Sequence, residues 1–209
     1  MDINSTQQIE ESTQAQGNFV EIKDGAKVRL RIVSGIKGVK EHNIDIKGKR
    51  RAIICPVEMD LWEAAFEDRP VNKGIKCPVC ERGQKDDRKI TTQFLAITVD
   101  SEGKVGVLKK GASVFKPIAS LIEEGYTLSE RAVVIERKGT GLETEYSVIA
   151  SMKDQPLSDE EKVAVEEFKK DYDLDQRSQP MSYDNIVRKM NGEDPVFDDE
   201  KGDDKQMPF

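Results

Sequence analysis

The chain has 209 residues, of which 36% are hydrophobic and 35% are charged. This length fits one domain with extensions better than two full-sized domains, and the composition is polar for a wholly packed globule. No apolar run approaches the roughly 18–20 residues that a membrane span requires, and the chain does not begin with a basic-then-apolar signal pattern. These features predict a soluble, cytosolic protein with no membrane partner.

The net charge of −7 hides an uneven distribution along the chain. Residues 158–209 carry 16 acidic and 8 basic side chains, and residues 1–18 carry three acidic ones, which leaves residues 19–157 with a net charge of +4. Within this middle part, residues 23–51 hold ten Lys or Arg against three acids. The acidic average therefore does not exclude a nucleic-acid ligand.

The predicted elements start after residues 1–18, which are rich in Gln, Ser, Thr and Glu and are expected to form a disordered arm. Alternating apolar and polar residues predict strands, most clearly at 27–33, where Val28, Leu30 and Ile32 share one face. A helix is expected near residues 113–124, ending at Gly125. The strands are predicted at 19–22, 27–33, 90–99, 104–109, 132–137 and 145–151.

This order of strands and helix predicts a mainly β fold, an OB-type antiparallel barrel within residues 19–157. An irregular, charged insertion is expected at about 36–89. It includes a short helix that carries Trp62 and Phe66, which are expected to pack in the core of the insertion; contact with bases is the less favoured alternative. Short helices follow in a C-terminal extension at 158–192, where Ser158 and Glu161 form a capping box. Residues 193–209 are expected to be a disordered acidic tail.

The insertion holds every cysteine and the single histidine of the chain. Cys77 and Cys80 have the two-residue spacing that brings two thiolates to one metal, and His42 and Cys55 precede them. The four residues predict a closed, structural Zn²⁺ site. The alternatives are an exposed loop histidine at His42 and a buried apolar thiol at Cys55. Because the insertion is too polar to fold on burial alone, metal binding is the favoured interpretation.

Basic and aromatic side chains form the candidate nucleic-acid surface. The basic residues could track phosphates, although a solvated strand face has the same pattern, and Phe94 lies on the polar face of its strand as a candidate base-stacking platform. Tyr146 is a second candidate that fits the core equally well. The predicted nucleic-acid-binding residues are Lys27, Arg29, Arg31, Lys47, Lys49, Arg50, Arg51, Phe94 and Tyr146.

The last residues of the sequence combine acids with an apolar tip. An ordinary acidic tail needs no aromatic side chain at its end, whereas a peptide that docks in a basic-rimmed apolar pocket does. The predicted partner-binding residues are Asp203, Asp204, Met207, Pro208 and Phe209.

The order His42-x12-Cys55-x21-Cys77-x2-Cys80 in an OB-like chain resembles the zinc-containing single-stranded DNA-binding proteins of tailed bacteriophages. The gap before the last cysteine pair is longer here than in that family, and residues 1–18 lack the Lys and Arg of its basic N-terminal segment. The tip Met207-Pro208-Phe209 is similar to that of bacterial single-stranded DNA-binding proteins. The resemblance implies a protein of the host cytoplasm that coats single-stranded DNA without sequence preference. It also implies that the tail recruits replication, recombination or repair proteins.

The competing hypothesis is a zinc-bearing adaptor of a replication or transcription complex that binds mainly protein. An enzyme is not expected. Nucleophilic catalysis that pairs a serine or cysteine with a histidine would have to use His42, the only histidine of the chain. A nuclease that uses carboxylates would need clustered Asp and Glu, but the predicted strands at 27–33 and 90–98 offer Lys, Arg and Thr instead.

Overall fold

The computed structural model describes residues 18–82 and 89–196. The chain divides into two compact units, and each is treated by itself below. The first, here called the sheet unit, comprises Met1–Glu41 and Thr91–Gln179. The second, here called the cysteine unit, comprises His42–Ile90 and Pro180–Phe209. None of the helices in the described residues has the length and apolar content to cross a membrane.

Seven strands form one antiparallel sheet, which confirms the mainly β class. The sheet order is β3-β2-β4-β1-β6-β7, and β5 pairs with β4 outside this path. The strands are β1 Lys27–Ile32, β2 Lys37–Ile46, β3 Lys49–Ile54, β4 Ile90–Asp100, β5 Val105–Lys110, β6 Arg131–Lys138 and β7 Glu145–Asp154.

Helices connect and follow these strands, and most begin at a residue that favours a helix start. Pro56 and Pro78 stand at the first helical positions of α1 and α2, while Ser158 and Ser182 cap α4 and α6 with their side chains. The helices are α1 Pro56–Glu67, α2 Pro78–Glu81, α3 Ala112–Glu123, α4 Asp159–Asp171, α5 Leu174–Arg177 and α6 Tyr183–Met190.

The sheet unit has the connectivity of an OB-type fold. Strand β1 pairs with β4 on one side and with β6 on the other, with Leu30 opposite Asp100 and Lys27 opposite Glu136. Strands β4 and β5 form one hairpin, β6 and β7 form another, and α3 connects the two hairpins. One strand shared by two hairpins with an intervening helix is the arrangement expected of the small Greek-key barrel.

The core of the sheet unit lies under α3. Its fully buried side chains come from β1, β4, β5, β6, α3 and the segment before β1, and partly buried residues of β7 complete it. At about 25 cal/mol for each Å² of apolar surface buried, such a cluster supplies the main stabilising free energy of a small barrel. The buried members are Ile22, Leu30, Ile32, Ala96, Leu108, Val114, Phe115, Ile118, Val133 and Ile135.

Three expectations about the chain organisation differ from the structure. Residues 19–22 do not form a strand and contribute a single bridge, Phe19 to Val107. The insertion expected to be irregular contains two regular strands, β2 and β3. The expected C-terminal extension is divided, since α4 and α5 belong to the sheet unit and α6 to the cysteine unit. The predicted disordered arm and acidic tail fall almost wholly outside the described residues.

Candidate metal centre and basic surfaces

The predicted metal ligands are placed by regular elements of the cysteine unit. His42 lies in β2, where it is fully buried. Cys55 and Cys77 each occupy the residue before a helix, and each is followed by a proline that starts that helix. A cysteine at this position has an extended backbone, and its thiol lies against the backbone N–H groups of the first turn, that of Glu58 for Cys55 and those of Val79 and Cys80 for Cys77. Cys80 follows within α2, one turn after Cys77.

The four side chains converge on one point. Their ligand atoms all lie within 4.8 Å of one another. The Cys55 Sγ lies 3.7 Å from the Cys80 Sγ, and the His42 Nε2 lies 3.4 Å from the Cys80 Sγ and 3.6 Å from the Cys77 Sγ. A tetrahedral metal with bonds of about 2.3 Å to sulfur and about 2.1 Å to nitrogen needs edges of roughly 3.6–3.8 Å between its ligands. The cluster therefore fits a structural metal site such as one for zinc.

Burial makes this set of side chains costly without a cation. His42, Cys55 and Cys77 are at most 1% exposed, and Cys80 is partly buried. The hydrogen bond from Cys55 lowers the pKa of the Cys77 thiol to about 4, and the same hydrogen bond raises the pKa of Cys55. Burial raises the pKa of Cys80 to about 11. A bound divalent cation would favour the ionised form of all three thiols.

A small apolar cluster surrounds the metal ligands. It includes Ile186 of α6, which is fully buried. Helix α6 is fixed further by the Lys189 Nζ, which donates to the Ala52 carbonyl at 3.1 Å, and by the Tyr183 hydroxyl, which donates to Glu81 at 2.7 Å. The buried members of the cluster are Ile44, Ile46, Ile53, Cys55, Cys77, Val79 and Ile186.

Four predicted phosphate contacts lie together in the β2–β3 hairpin. Lys47 and Gly48 form its turn, both with positive φ, of 53° and 77°. Lys47, Lys49, Arg50 and Arg51 are all exposed. Within residues 18–82 and 89–196, no carboxylate forms an ion pair with any of the four. In the described part of the chain, the hairpin therefore presents four exposed cations without ion pairs, beside one exposed acid, Asp45, whose Oδ1 accepts from the Gly48 N–H.

The three basic residues of β1 have different environments. Lys27 is exposed and lies 3.6 Å from Glu136, while Arg29 is exposed beside the Ser151 hydroxyl. Arg31 is only 3% exposed. Its guanidinium donates to both carboxylate oxygens of Glu161 and to the Gln155 and Pro156 carbonyls. The expectation that Arg31 faces solvent is therefore wrong, because α4 covers its side chain. Arg31 does not belong to the candidate nucleic-acid surface.

A groove of about 510 Å³ runs along Lys27 and Arg29 in the sheet unit. Its lining includes two exposed lysines, Lys23 and Lys104, which were not predicted from the sequence. Phe19, 47% exposed, also lines it. Three acids share the lining, so the groove is less basic than the hairpin; they are Glu21, Asp100 and Glu102. Phe19 carries no periodic signal in the sequence, since its segment is not a strand.

The predicted stacking side chains lie mainly in the core of the sheet unit. Phe94 packs on the core cluster with its ring centroid 5.5 Å from that of Phe115. The face of β4 expected to be polar is thus the core-facing one, because it also carries the buried Ala96. Tyr146 packs against the same cluster, with the Lys110 Nζ 5.4 Å from its ring centroid.

The two aromatic residues of α1 differ in exposure. Phe66 is 90% exposed, which corrects the favoured expectation that it packs in the core, while Trp62 is partly buried. The predicted partner-binding residues, from Asp203 to Phe209, lie outside the described residues.

Comparison of the chain with known proteins gives no matching family model, no matching curated protein and no matching solved structure.

Proposed function

We propose that this protein binds single-stranded DNA without sequence preference, protecting the strand while other proteins act on it. The observation that carries the proposal is the β2–β3 hairpin, where four exposed basic side chains have no acidic partner among the described residues. A flexible single strand can follow such a surface through its phosphates alone. The OB-type connectivity of the sheet unit supports the proposal, because this fold commonly binds oligonucleotides.

Base contacts would come from the groove of the sheet unit. Phe19 is the aromatic side chain with free surface there, and Lys23, Lys27, Arg29 and Lys104 can neutralise phosphates beside it. Stacking on an aromatic ring is tolerant of sequence because every base has a π-face. Phe19 replaces Phe94 as the proposed stacking residue, because Phe94 packs on the core cluster. Phe19 keeps 47% of its surface exposed, although its ring meets that of Tyr172 edge-on with the centroids 6.5 Å apart.

Zinc is the metal we propose for the cysteine unit. Three thiolates and one imidazole are the ligands that a structural zinc takes, and four protein ligands leave no open position for catalysis. Zinc would hold β2, α1 and α2 together, and through β2 it would fix the base of the basic hairpin. The role proposed for the metal is therefore structural, and the protein is proposed to be a binding protein without catalytic activity.

We further propose that the acidic tail recruits replication, recombination or repair proteins. The sequence supports this with Phe209 behind Asp203 and Asp204, a pattern suited to a basic-rimmed apolar pocket. Replacing Phe209 with Ala should abolish capture of such partners while leaving DNA affinity unchanged. Equal capture by the Phe209→Ala variant would contradict this role.

A titration of labelled oligo-dT and of duplex DNA at several salt concentrations tests DNA binding. With about four phosphates neutralised, log K for the single strand should fall with log salt at a slope near roughly −3. The triple variant Lys49→Ala, Arg50→Ala, Arg51→Ala should reduce that slope by about 2. The control Lys162→Ala, Lys169→Ala, Lys170→Ala removes the same charge from α4. Equal affinity for duplex DNA, or equal slopes for the two variants, would contradict the proposal.

The alternative function, an adaptor that binds mainly protein, is favoured by one observation. Phe66 exposes 90% of its surface next to Glu63 and Glu67, a setting that suits a protein partner better than a phosphate chain. An absence of saturable binding to oligo-dT at low salt would favour this function over DNA binding.

A further inference from the structure

The chain between the first two cysteine ligands is long. Twenty-one residues separate Cys55 from Cys77. Helix α1 starts at the first of these residues and carries the chain about 18 Å away from the ligand cluster, at 1.5 Å for each of its 12 residues. The following segment, residues 68–76, must return over the same distance to bring Cys77 to the cluster.

One buried carboxylate connects the returning segment to the middle of the helix. Asp60 of α1 is 7% exposed. Its Oδ1 accepts a hydrogen bond from the Arg69 Nη1 at 2.8 Å, and its Oδ2 accepts one from the backbone N–H of Asn72 at 2.8 Å. The Asn72 side chain then accepts from the Gly74 N–H at 2.9 Å, which fixes the last bend before Cys77.

The contact lies between Cys55 and Cys77 in the chain, so it affects how easily these two ligands come together. Asp60 follows Cys55 by five residues, and Asn72 precedes Cys77 by five. With the contact formed, Cys55 is linked to Cys77 through the first helical turn of α1, residues 56–59, and a flexible path of only four residues, 73–76. Closing a shorter loop costs less conformational entropy. Because residues 68–72 are already ordered by the contact, they lose no further entropy when the metal binds.

We propose that Asp60 is a positioning residue for the metal centre, holding residues 69–72 against α1 so that Cys77 meets Cys55 before the metal arrives. It acts through Arg69 and Asn72 and does not touch the ligands. The inference rests on the proposed metal centre and does not depend on DNA binding. Neither Glu63 nor Glu67 can replace Asp60, because both contact only the exposed side of Arg69.

The full-length protein offers a matched set of variants. Asp60→Ala removes both hydrogen bonds, Asp60→Asn keeps an acceptor for the Asn72 N–H but loses the charge, and Glu63→Ala removes only the outer partner of Arg69. Zinc affinity is measured by competition with a chromophoric chelator. Cobalt(II) added in place of zinc reports the coordination of each variant through its thiolate charge-transfer absorption.

Asp60→Ala should weaken zinc binding by at least about threefold, the effect of the longer loop alone, and by more if residues 68–76 must also be ordered when the metal binds. Its cobalt spectrum at saturation should equal that of the wild type, since the ligands are unchanged. Asp60→Asn should recover part of the affinity, and Glu63→Ala should match the wild type. Unchanged zinc affinity in Asp60→Ala would overturn the proposal, as would an equal loss in Glu63→Ala. Absence of zinc from the wild type would overturn the metal centre itself and this inference with it.

Discussion

The two units of the chain are stabilised by different means. The sheet unit buries ten apolar side chains in one cluster, among them Phe115, Ile118 and Ile135. The cysteine unit buries seven, and two of these, Cys55 and Cys77, belong to the cluster that fits a metal site. A small apolar cluster rarely supplies enough free energy to fold a segment of this size unaided. Burial alone can therefore account for the stability of the first unit, whereas we propose that the second depends on a metal.

Both units contain a buried ion pair, such as Asp60 with Arg69 in the cysteine unit, but the densest group of exposed basic side chains lies in the cysteine unit. In the sheet unit, buried charges are paired, as in Arg31 with Glu161 and in Glu41 with Lys109, whose atoms lie 2.7 Å apart. In the cysteine unit, the basic side chains of the β2–β3 hairpin are exposed and unpaired within the described residues. A paired charge contributes to the fold, while an unpaired exposed charge is available to a ligand.

Loss of one metal ligand should have the largest effect. Cys77→Ser replaces a thiolate by a weak ligand, and structural zinc sites contribute on the order of 10 kcal/mol to folding. The cysteine unit should unfold while the sheet unit keeps its strands. Thermal unfolding and limited proteolysis would show this as early cleavage confined to the cysteine unit, within residues 42–82 and 180–196. Cleavage spread equally over both units would contradict the comparison.

Truncations of buried side chains in the two units should respond differently to zinc. Ile186→Ala and Ile118→Ala each remove a side chain that is fully buried, one in each unit. Each should cost about 2–5 kcal/mol in the free energy of unfolding of its own unit. Only Ile186→Ala should be rescued by excess zinc, because only that unit is linked to the metal. Denaturant unfolding at two zinc concentrations measures this, and equal rescue of both variants would argue against it.

The buried ion pair of the sheet unit should have a smaller, pH-dependent effect. Glu161→Gln should cost about 1–2 kcal/mol, since Arg31 keeps its two carbonyl partners. The hydrogen bond from Arg31 lowers the pKa of Glu161 in the folded state. The pair therefore contributes fully above the unfolded pKa of about 4.3 and is lost as pH falls through the folded value. Urea unfolding should show a difference between wild type and variant that shrinks in acid; a constant difference would be inconsistent with the pair.

The capping box of α4 should have the smallest effect. The Ser158 hydroxyl accepts from the Glu161 N–H at 3.2 Å, and the Glu161 side chain accepts from the Ser158 N–H at 2.8 Å. Ser158→Ala should cost about 1 kcal/mol, and Ser158→Asp much less, because aspartate also caps well. Denaturant unfolding of the two variants measures the difference, and equal losses would exclude capping as the cause.

Local patterns in the sequence were enough for part of this structure. Strand β1, helix α3 and the Ser158 cap follow from alternation, periodicity and cap chemistry, and all three are confirmed. The grouping of the four metal ligands followed from their scarcity, since the chain has only one histidine and three cysteines. These features depend on neighbours in sequence or on residue types with few roles.

Three of the errors share one cause, which is contact between residues far apart in sequence. The alternating pattern of β1 predicted that Arg31 faces solvent, but Glu161 of α4, 130 residues later in the chain, binds and covers it. Phe94 was assigned to a polar face because its neighbours Thr92 and Thr98 are polar, although α3 packs on that face with Phe115. Strand β2 was missed because buried Glu41 and His42 interrupt its apolar pattern, and their partners, Lys109 and the cysteines, lie elsewhere.

The central claim, that a metal folds the cysteine unit and not the sheet unit, is tested most directly by residue-resolved hydrogen exchange with and without zinc. One equivalent of zinc should bind to reduced protein. Its removal by a chelator should eliminate amide protection in β3, α1 and α6 while leaving β1, β6 and β7 protected. Unchanged protection in the cysteine unit after zinc removal, or no stoichiometric zinc in the reduced protein, would contradict the account.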